Sequence, residues 1–254
     1  MGGKKLPGGH SNRSVRFFKR GLLLFEPRNA FKIGKLILKK CIIWANGKAP
    51  RKSAVLYLKK VGYDTLICAD GGANSARRYN IIPDVIVGDF DSIERKTISF
   101  FKNKSKIIHV KSQYSTDVEK CLSYAIKKKF TEAVLIGVTG DRLDHTFCNL
   151  GIVLKFFYKI KLNIAAENSF LSAFTGNIAL QTIDGETISL YGLDSKTKII
   201  SEGLKYPLKN ISLPFGEKES TSNVALNNIV KLKIKGGKIF VIRDFNLLKK
   251  NGLI

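Results

Sequence analysis

Two aspartates that follow an apolar stretch offer the clearest chemistry in the sequence. The stretch 83–88 runs directly into Asp89 and Asp91, which are spaced i, i+2. At the end of an extended strand, this spacing projects both carboxylates to the same side. Two oxygen ligands beside the flexible Gly88 suit Mg²⁺. The alternative is a strand that leaves the core through a solvated polar turn, and a D-x-D pair alone does not decide between the two.

Other polar residues follow separate apolar runs in the same part of the chain. Asn46, Asp70 and the loop from Thr139 to His145 each come directly after such a run. The functional loops of a parallel sheet lie beyond the carboxyl ends of its strands. We therefore expect these residues to meet the aspartate pair at one edge of a sheet, where Asp70 would add a third carboxylate.

The elements that must position these residues alternate between residues 40 and 165. Predicted strands occur at 41–45, 65–69, 83–88, 106–110, 133–138 and 161–165. Those at 41–45 and 133–138 are continuous apolar runs, typical of strands covered on both faces. Helical patterns separate several of these runs, as at 73–79 and from the 139–145 loop to about 158. The alternation predicts a Rossmann-like parallel sheet with helices on both faces.

The clearest helix begins after Thr116. Thr116 and Glu119 form a capping box, and apolar residues follow from Val118 to Ile126 at helical spacing. Asp117 lies in the first turn, where the helix dipole favours an acid. On local sequence alone, Asp117 is therefore explained by helix-start chemistry rather than by metal binding.

The pattern changes after residue 168. Short alternating segments occur at 178–182, 186–190, 198–201, 230–234 and 239–242, with glycines between them. This pattern predicts an all-β domain, a small β-sandwich. We thus expect a basic, disordered arm over 1–39, a catalytic α/β domain over 40–167 and a β-sandwich domain over 168–254. The two domains should pack closely, because no Pro/Ser linker separates them.

The charge of the chain is unusually positive. The formal net charge is +24 over 254 residues, and the first 40 residues hold eleven Lys/Arg against a single Glu26. Such an excess can mark nucleic-acid binding. Here the lysines are scattered, and no basic stripe alternates with aromatic residues as in a single-strand groove. We therefore expect no nucleic-acid partner, although a basic nucleic-acid-binding protein stays the non-enzymatic alternative.

The cellular setting follows from three further features. No apolar run reaches the length of a membrane span, so no membrane partner is expected. Four cysteines are widely spaced without a zinc motif, and three of them sit in apolar segments, which fits a reducing compartment. These features predict a cytoplasmic protein, with the basic arm as a targeting segment or a cloning remnant.

The absence of standard nucleotide motifs narrows the chemistry. The sequence has neither a P-loop nor a G-x-G-x-x-G after a strand. Acids with basic partners such as Arg142 and His145, and no nucleophile–base pair, indicate phosphoryl-type transfer by positioning and electrostatics. The main rival is a phosphatase of the haloacid-dehalogenase type, in which Asp89 is the nucleophile and Asp91 the acid/base. That interpretation leaves Asp70 and the 140–145 loop unexplained.

Six motifs in order resemble those of the thiamine pyrophosphokinase family. The first four are Ala69–Asn74 (ADGGAN), Gly88–Ser92 (GDFDS), Gln113–Lys120 (QYSTDVEK) and Gly140–His145 (GDRLDH). The other two, in the β half, are Gly203–Leu208 (GLKYPL) and Ser220–Asn223 (STSN). Each motif alone is modest, but six in order across both predicted domains, over about 40–245, are highly specific.

The resemblance implies a concrete reaction. The family transfers a pyrophosphoryl group from ATP to the hydroxyethyl oxygen of thiamine, giving thiamine diphosphate and AMP, and binds ATP without a P-loop. By this likeness Mg²⁺ and the triphosphate would be organised by Asp70, Asp89, Asp91 and Asp117, with Arg142 as a further catalytic group. The implied ATP-binding residues are Asn46, Gly72, Asn74, Gln113, Thr139, Gly140, Asp144 and His145. The implied thiamine-binding residues are Tyr206, which would stack on the aminopyrimidine, Ser220, Ser222 and Asn223.

The resemblance also implies an assembly and two departures. Family members are homodimers with the thiamine site at the subunit interface, where the catalytic domain of one chain meets the β domain of the other. Tyr114 stands where the family often has an acid, so Asp117 must suffice there. Asp141 replaces a glycine of the family's Gly-Gly-Arg turn and adds a negative charge beside the expected phosphates.

Overall fold

The computed structural model describes residues 22–23, 38–112, 114–140 and 142–254. A short strand comes first, β1 (Leu22–Leu23). The elements up to residue 165 are β2 (Lys40–Trp44), α1 (Lys52–Lys60), β3 (Thr65–Ala69), α2 (Gly72–Arg78), β4 (Val85–Gly88), α3 (Arg95–Phe101), β5 (Lys106–His109), α4 (Asp117–Lys127), β6 (Glu132–Ile136), α5 (Leu143–Lys155) and β7 (Lys161–Ala165). All six predicted strands of this half are present, within a few residues of their expected bounds.

The strands β2 to β7 form a parallel sheet in the order β5-β4-β3-β2-β6-β7. Because successive side chains of a strand point to opposite faces, β2 contributes side chains to two hydrophobic cores, one on each face of the sheet. Cys41 and Ile43 pack in the core that contains α4 and α5 residues. Ile42 and Trp44 pack in the core that contains residues of α1, α2, α3 and α6 (Phe245–Lys250). The predicted sheet with helices on both faces is confirmed.

The strand order reverses between β2 and β6. From β2 the chain moves to β3, β4 and β5 on one side, and it then returns to β6 and β7 on the other. Ligands of open α/β sheets bind in the crevice outside the strand ends at such a switch point. The loops after β2 and β6 meet there, since the Gly47 and Lys48 amides donate to the Gly137 and Thr139 carbonyls.

Antiparallel strands follow in the C-terminal third. They are β8 (Ser169–Gln181), β9 (Thr187–Gly192), β10 (Lys198–Glu202), β11 (Lys209–Ile211), β12 (Ser220–Val224) and β13 (Ile229–Asp244). β13 pairs with β8 along its whole length, with β10 on its first half and with β9 on its second half. The inward residues of these strands enclose a separate core that includes Ile188, Ile199, Leu232 and Val241. The strand-rich C-terminal region that the alternation predicted is thus present.

Two strands are longer than the sequence pattern indicates. β8 begins at Ser169, whereas the pattern predicts a strand only from residue 178. The segments at 230–234 and 239–242, expected as two strands around Gly236-Gly237, are parts of the single strand β13. A register shift between Ile234 and Ile239 absorbs the extra residues within the strand. Paired glycines here mark a bulge rather than a turn.

The two halves share one sheet. β7 pairs antiparallel with β8, so hydrogen bonding continues from the parallel strands into the antiparallel ones. Only three residues, 166–168, separate the two strands. β1 pairs with β8 at Leu180 and Ala179, while most of the basic arm 1–39 lies outside the described residues. None of the helices that the model describes is long and apolar enough to cross a membrane.

Candidate active site

Three acids from separate elements meet at the carboxyl edge of the parallel sheet. Asp70 follows β3, Asp89 follows β4 and Asp117 begins α4. One carboxylate oxygen from each lies within 4.8 Å of the others. Thr116 caps α4 through the expected capping box, so Asp117 has both the helix-start position and a place in the acidic cluster. The two interpretations of Asp117 are therefore compatible.

Asp70 is the most constrained of the three acids. Its side chain is buried, its backbone has φ of +39°, and its Oδ2 accepts a hydrogen bond from the Ser92 amide at 3.0 Å. Its Oδ1 is also buried and has no hydrogen-bond partner among the described residues. Burial, opposed by the Ser92 hydrogen bond and reinforced by the Asp91 and Asp117 carboxylates, raises the pKa of Asp70 to about 7. A buried, unpartnered oxygen among crowded carboxylates fits a site for a divalent cation.

Lys120 is a charged residue of the acidic cluster that sequence reasoning did not single out. Its Nζ donates to Asp89 Oδ2 and to Asp117 Oδ1, both at 2.8 Å, and its side chain is only 2% exposed. Burial lowers the pKa of Lys120, but the two hydrogen bonds outweigh this effect and raise it. The same contact holds the pKa of Asp89 below its usual value. The i, i+3 spacing from Asp117 was the available signal, because residues at that spacing share a helix face.

Asp91 lies apart from the three-acid cluster. Its side chain is exposed, and its Oδ1 accepts a hydrogen bond from the Ser92 hydroxyl at 2.8 Å. The carboxylate is nevertheless close enough to contribute to the raised pKa of Asp70. Asp91 therefore borders the cluster from the solvent side.

Two glycines of the motifs are required by close contacts. A Cβ on Gly88 would lie 2.7 Å from the Asp70 Cβ, and a Cβ on Gly72 would lie 2.0 Å from the Trp44 carbonyl oxygen. Both distances are shorter than real Cβ contacts. Gly88 leaves room for the carboxylate of Asp70, and Gly72 lets α2 begin directly against β2.

Asn74, expected to bind ATP, holds the acidic loop through both ends of its side-chain amide. Its Nδ2 donates to the Ser92 carbonyl at 3.1 Å, and its Oδ1 accepts from the Glu94 amide at 3.0 Å. Its side chain is buried. The geometry gives Asn74 a positioning role for the 89–94 turn.

A cavity of about 630 Å³ lies at the switch point beside the acids. Six residues predicted for catalysis or ATP binding line it: Asn46, Asp117, Thr139, Gly140, Arg142 and His145. Gly71, Ser92, Cys148 and Asn149 are further lining residues that the sequence did not single out. The predicted residues outside the lining are Asp70, Gly72, Asn74, Asp89, Asp91 and Asp144. Gln113 and Asp141 lie outside the described residues.

Asp144 is paired with Arg142 at the start of α5. Arg142 Nε and a terminal nitrogen donate to the two Asp144 oxygens at 2.9 and 2.6 Å. This bidentate pair lowers the pKa of Asp144 to about 2. Both side chains are exposed, so Arg142 reaches the cavity rim with its guanidinium oriented by Asp144.

A second, smaller cavity of about 290 Å³ lies in the antiparallel half. Tyr206, Ser220 and Asn223 line it, as does Leu208. Asn223 accepts from the Tyr206 amide at 3.1 Å and donates to the Tyr206 carbonyl at 2.8 Å and to Ser220 Oγ at 3.0 Å. Its buried side chain thus connects two walls of the cavity. Ser222 is exposed, has φ of +56° and does not line the cavity.

The fold and site together define a class of protein. A parallel sheet carries an acidic cluster and a large cavity at its switch point, and it continues into a β domain with its own cavity. This arrangement is that of a nucleotide-dependent α/β enzyme with an added binding domain.

Comparisons with known proteins are specific about the family. Residues 58–166 match the model of the thiamin pyrophosphokinase catalytic domain, and residues 177–239 match that of the thiamin pyrophosphokinase vitamin B1 binding domain. Thiamin pyrophosphokinase 1 of Caenorhabditis elegans is 30% identical over 225 residues, covering 82% of this chain and 90% of the relative. The chain belongs to the thiamin pyrophosphokinase family.

Solved structures agree on the fold. Thiamine pyrophosphokinase from Bacillus subtilis superposes with a TM-score of 0.71 at 23% identity, covering 82% of this chain and 100% of that one. Thiamin pyrophosphokinase from Candida albicans gives 0.69 at 21% identity, covering 81% and 88%. The Rossmann-like sheet with a C-terminal β-sandwich, expected from the sequence, is confirmed.

Proposed function

We propose that this chain transfers a pyrophosphoryl group from ATP to thiamine. The observation that carries the proposal is the match to both family domains in a chain whose acidic cluster lies beside a cavity at the switch point. The hydroxyethyl oxygen of thiamine attacks the β-phosphorus of ATP. The bond from that phosphorus to the oxygen bridging to the α-phosphorus breaks, AMP leaves, and the hydroxyl proton is released.

Asp70, Asp89 and Asp117 would hold Mg²⁺, with Asp91 supporting from the solvent side. When bound, the ion neutralises charge that develops on the phosphate oxygens. The donor set fits this ion, because all three groups are hard carboxylate oxygens that lie within 4.8 Å of one another. Ser92 and Asn74 keep the 89–94 turn in the position that this geometry needs.

ATP would occupy the larger cavity. Asn46, Thr139, Gly140 and His145 line it, and the Arg142 guanidinium at its rim suits a charge-assisted contact with the polyphosphate. We assign Asp144 the positioning of Arg142, and Gly72 the packing that lets α2 begin beside the cavity. Gln113 stays a proposed nucleotide contact from the sequence motif.

Thiamine would occupy the smaller cavity. The exposed ring of Tyr206 is available for stacking on the aminopyrimidine, and the hydroxyl of Ser220 and the fixed loops around Asn223 supply polar contacts. Ser222 would take part through the neighbouring turn. In this division of labour, residues 40–167 bind ATP and metal, and residues 168–254 bind thiamine.

The separation of the two cavities favours a dimeric enzyme. No described residue lines both cavities, which supports a thiamine site that a second chain completes. We propose a homodimer in which the β domain of one chain presents thiamine to the catalytic domain of its partner. Mixing a variant defective in the acids with one defective at Tyr206 should then restore part of the activity.

The reaction is tested by incubating the protein with ATP, Mg²⁺ and thiamine and separating the products. Thiamine diphosphate and AMP in equal amounts are expected. Production of ADP with thiamine monophosphate would contradict pyrophosphoryl transfer. Phosphate release with a trapped aspartyl-phosphate on Asp89 would instead support the phosphatase interpretation.

A further inference from the structure

The ammonium group of Lys120 lies within the acidic cluster rather than beside it. Its Nζ is 2.8 Å from oxygens of both Asp89 and Asp117, two of the three acids that lie within 4.8 Å of one another. The Lys120 side chain is only 2% exposed. A buried ammonium on two carboxylates is screened little by solvent.

We propose that Lys120 is a built-in counter-ion that weakens divalent-cation binding until the nucleotide arrives. This inference rests on the proposed function, in which the same acids hold Mg²⁺. With all three carboxyl groups ionised, the acids and the ammonium give the cluster a formal charge of −2, whereas the acids alone would carry −3. One divalent cation neutralises the cluster as it stands.

The counter-ion acts in two ways. Without metal, it offsets the repulsion among the carboxylates and keeps Asp89 and Asp117 close together. With metal, its positive charge repels the incoming cation at a distance of a few ångströms, in a region where water screens poorly. An ion that binds weakly to the free protein is retained only when phosphate oxygens add ligands, so metal and nucleotide bind together.

A purely structural ion pair would behave differently. It would stabilise the protein by the same amount with and without Mg²⁺, and its loss would leave metal affinity unchanged. A counter-ion that competes with the metal instead links the stability of the metal-free protein to its affinity for Mg²⁺. Removing it must destabilise the metal-free protein and strengthen metal binding at the same time.

The test is a thermal-denaturation titration with MgCl₂, without nucleotide or thiamine, at constant ionic strength. In Lys120→Met, the melting temperature without metal should fall, and the Mg²⁺ concentration that gives half of the stabilisation should fall about tenfold. Lys120→Arg, which keeps the charge, should stay within about threefold of the wild type. Lys155→Met, in α5, is the control, because it removes the ion pair that Lys155 makes with Glu119 of α4, outside the three-acid cluster; its Mg²⁺ midpoint should not move.

An unchanged or higher Mg²⁺ midpoint in Lys120→Met overturns the proposal. If that variant does not fold, Lys120→Gln tests the same loss of charge with a polar side chain. If Mg²⁺ stabilises neither Lys120→Met nor the wild type, the metal assignment is overturned, and this inference with it. If the Mg²⁺ titration gives the expected shifts but the protein makes no AMP from ATP and thiamine, only the proposed reaction is overturned.

Discussion

Asn74 fixes the position of Ser92 across the gap between α2 and the acidic turn. The Asn74 amide donates to the Ser92 carbonyl at 3.1 Å, and the Ser92 amide in turn donates to Asp70. Asn74, in the ADGGAN motif, thus holds the backbone of Ser92, in the GDFDS motif, against the carboxylate of Asp70. The precision of the acidic cluster depends on this link as well as on the acids themselves.

Asn74→Ala should lower kcat at least tenfold, with the KM for thiamine within about twofold of the wild type. Loss of two hydrogen bonds of a buried amide should also lower the free energy of unfolding by about 1–2 kcal/mol. Steady-state kinetics and urea denaturation measure the two effects. Asn251→Ala, which removes an exposed bond to the Leu247 carbonyl, should leave kcat unchanged. Normal turnover in Asn74→Ala would contradict the positioning role.

Gly88→Ala should disable the site through a single methyl group. The new Cβ would lie 2.7 Å from the Asp70 Cβ, so Asp70 or the strand end must move. We expect a loss of turnover of about a hundredfold or more, measured as AMP release. The control is Gly151→Ala in α5, where a Cβ would meet nothing within 4 Å. That variant should gain up to about 1 kcal/mol of stability and keep its activity.

Asp91→Ala should abolish AMP formation while leaving the melting temperature near that of the wild type. The side chain is exposed and accepts a hydrogen bond from the Ser92 hydroxyl, so its removal costs little stability. Asp64→Ala, at another exposed acid before β3, provides the comparison and should be fully active. Near-normal turnover in Asp91→Ala would remove this residue from the metal assignment.

Tyr206→Ala should mainly raise the KM for thiamine, by about tenfold, which corresponds to the loss of one stacking contact. The ring is 60% exposed, so unfolding should be little affected. Phe215→Ala is a matched control, because its ring is 62% exposed but does not line the smaller cavity. Equal KM values for the two variants would remove Tyr206 from the thiamine site.

Glu132→Ala should destabilise the protein without reaching the active site. Glu132 begins β6, at the opposite edge of the sheet, and its buried carboxylate pairs with Lys40 and Lys161 and accepts from Tyr63. Removing one partner of such a buried set costs about 3 kcal/mol or more. Urea denaturation should report this loss, while kcat of the folded variant stays normal.

The lowered pKa of Glu132 also predicts how the stability of the protein changes at acid pH. Burial alone would raise the pKa of Glu132, but Lys161, Tyr63 and Lys40 hold it below the usual 4.5. A carboxylate with a lowered pKa stabilises the fold above the unfolded value and loses this contribution as pH falls through the folded value. Wild type should therefore lose stability below about pH 4.5, and Glu132→Gln should lose less over the same range.

Sequence patterns located the parallel strands because buried strands are continuously apolar, and they located α4 because Thr116 and Glu119 form a local cap. Helix α3 was not predicted, since Arg95–Phe101 lacks clear periodicity. Lys120 was missed as a site residue because a lysine in a helix is usually solvated; only the approach of β4 and its Asp89 makes it a buried partner. The role of Asn74 depends likewise on a loop eighteen residues away, which local patterns cannot reveal.

The central position of the last strand has a consequence for synthesis. β13 joins β8, β9 and β10, yet it is translated after all three. The strands β2 to β7 can pair as soon as residue 165 has left the ribosome, whereas β8, β9 and β10 complete their pairing only when residues 229–244 follow. During that interval their edges lack their main partner, and exposed strand edges favour intermolecular pairing. We therefore expect C-terminal truncation before residue 229 to yield aggregating chains rather than a smaller folded enzyme.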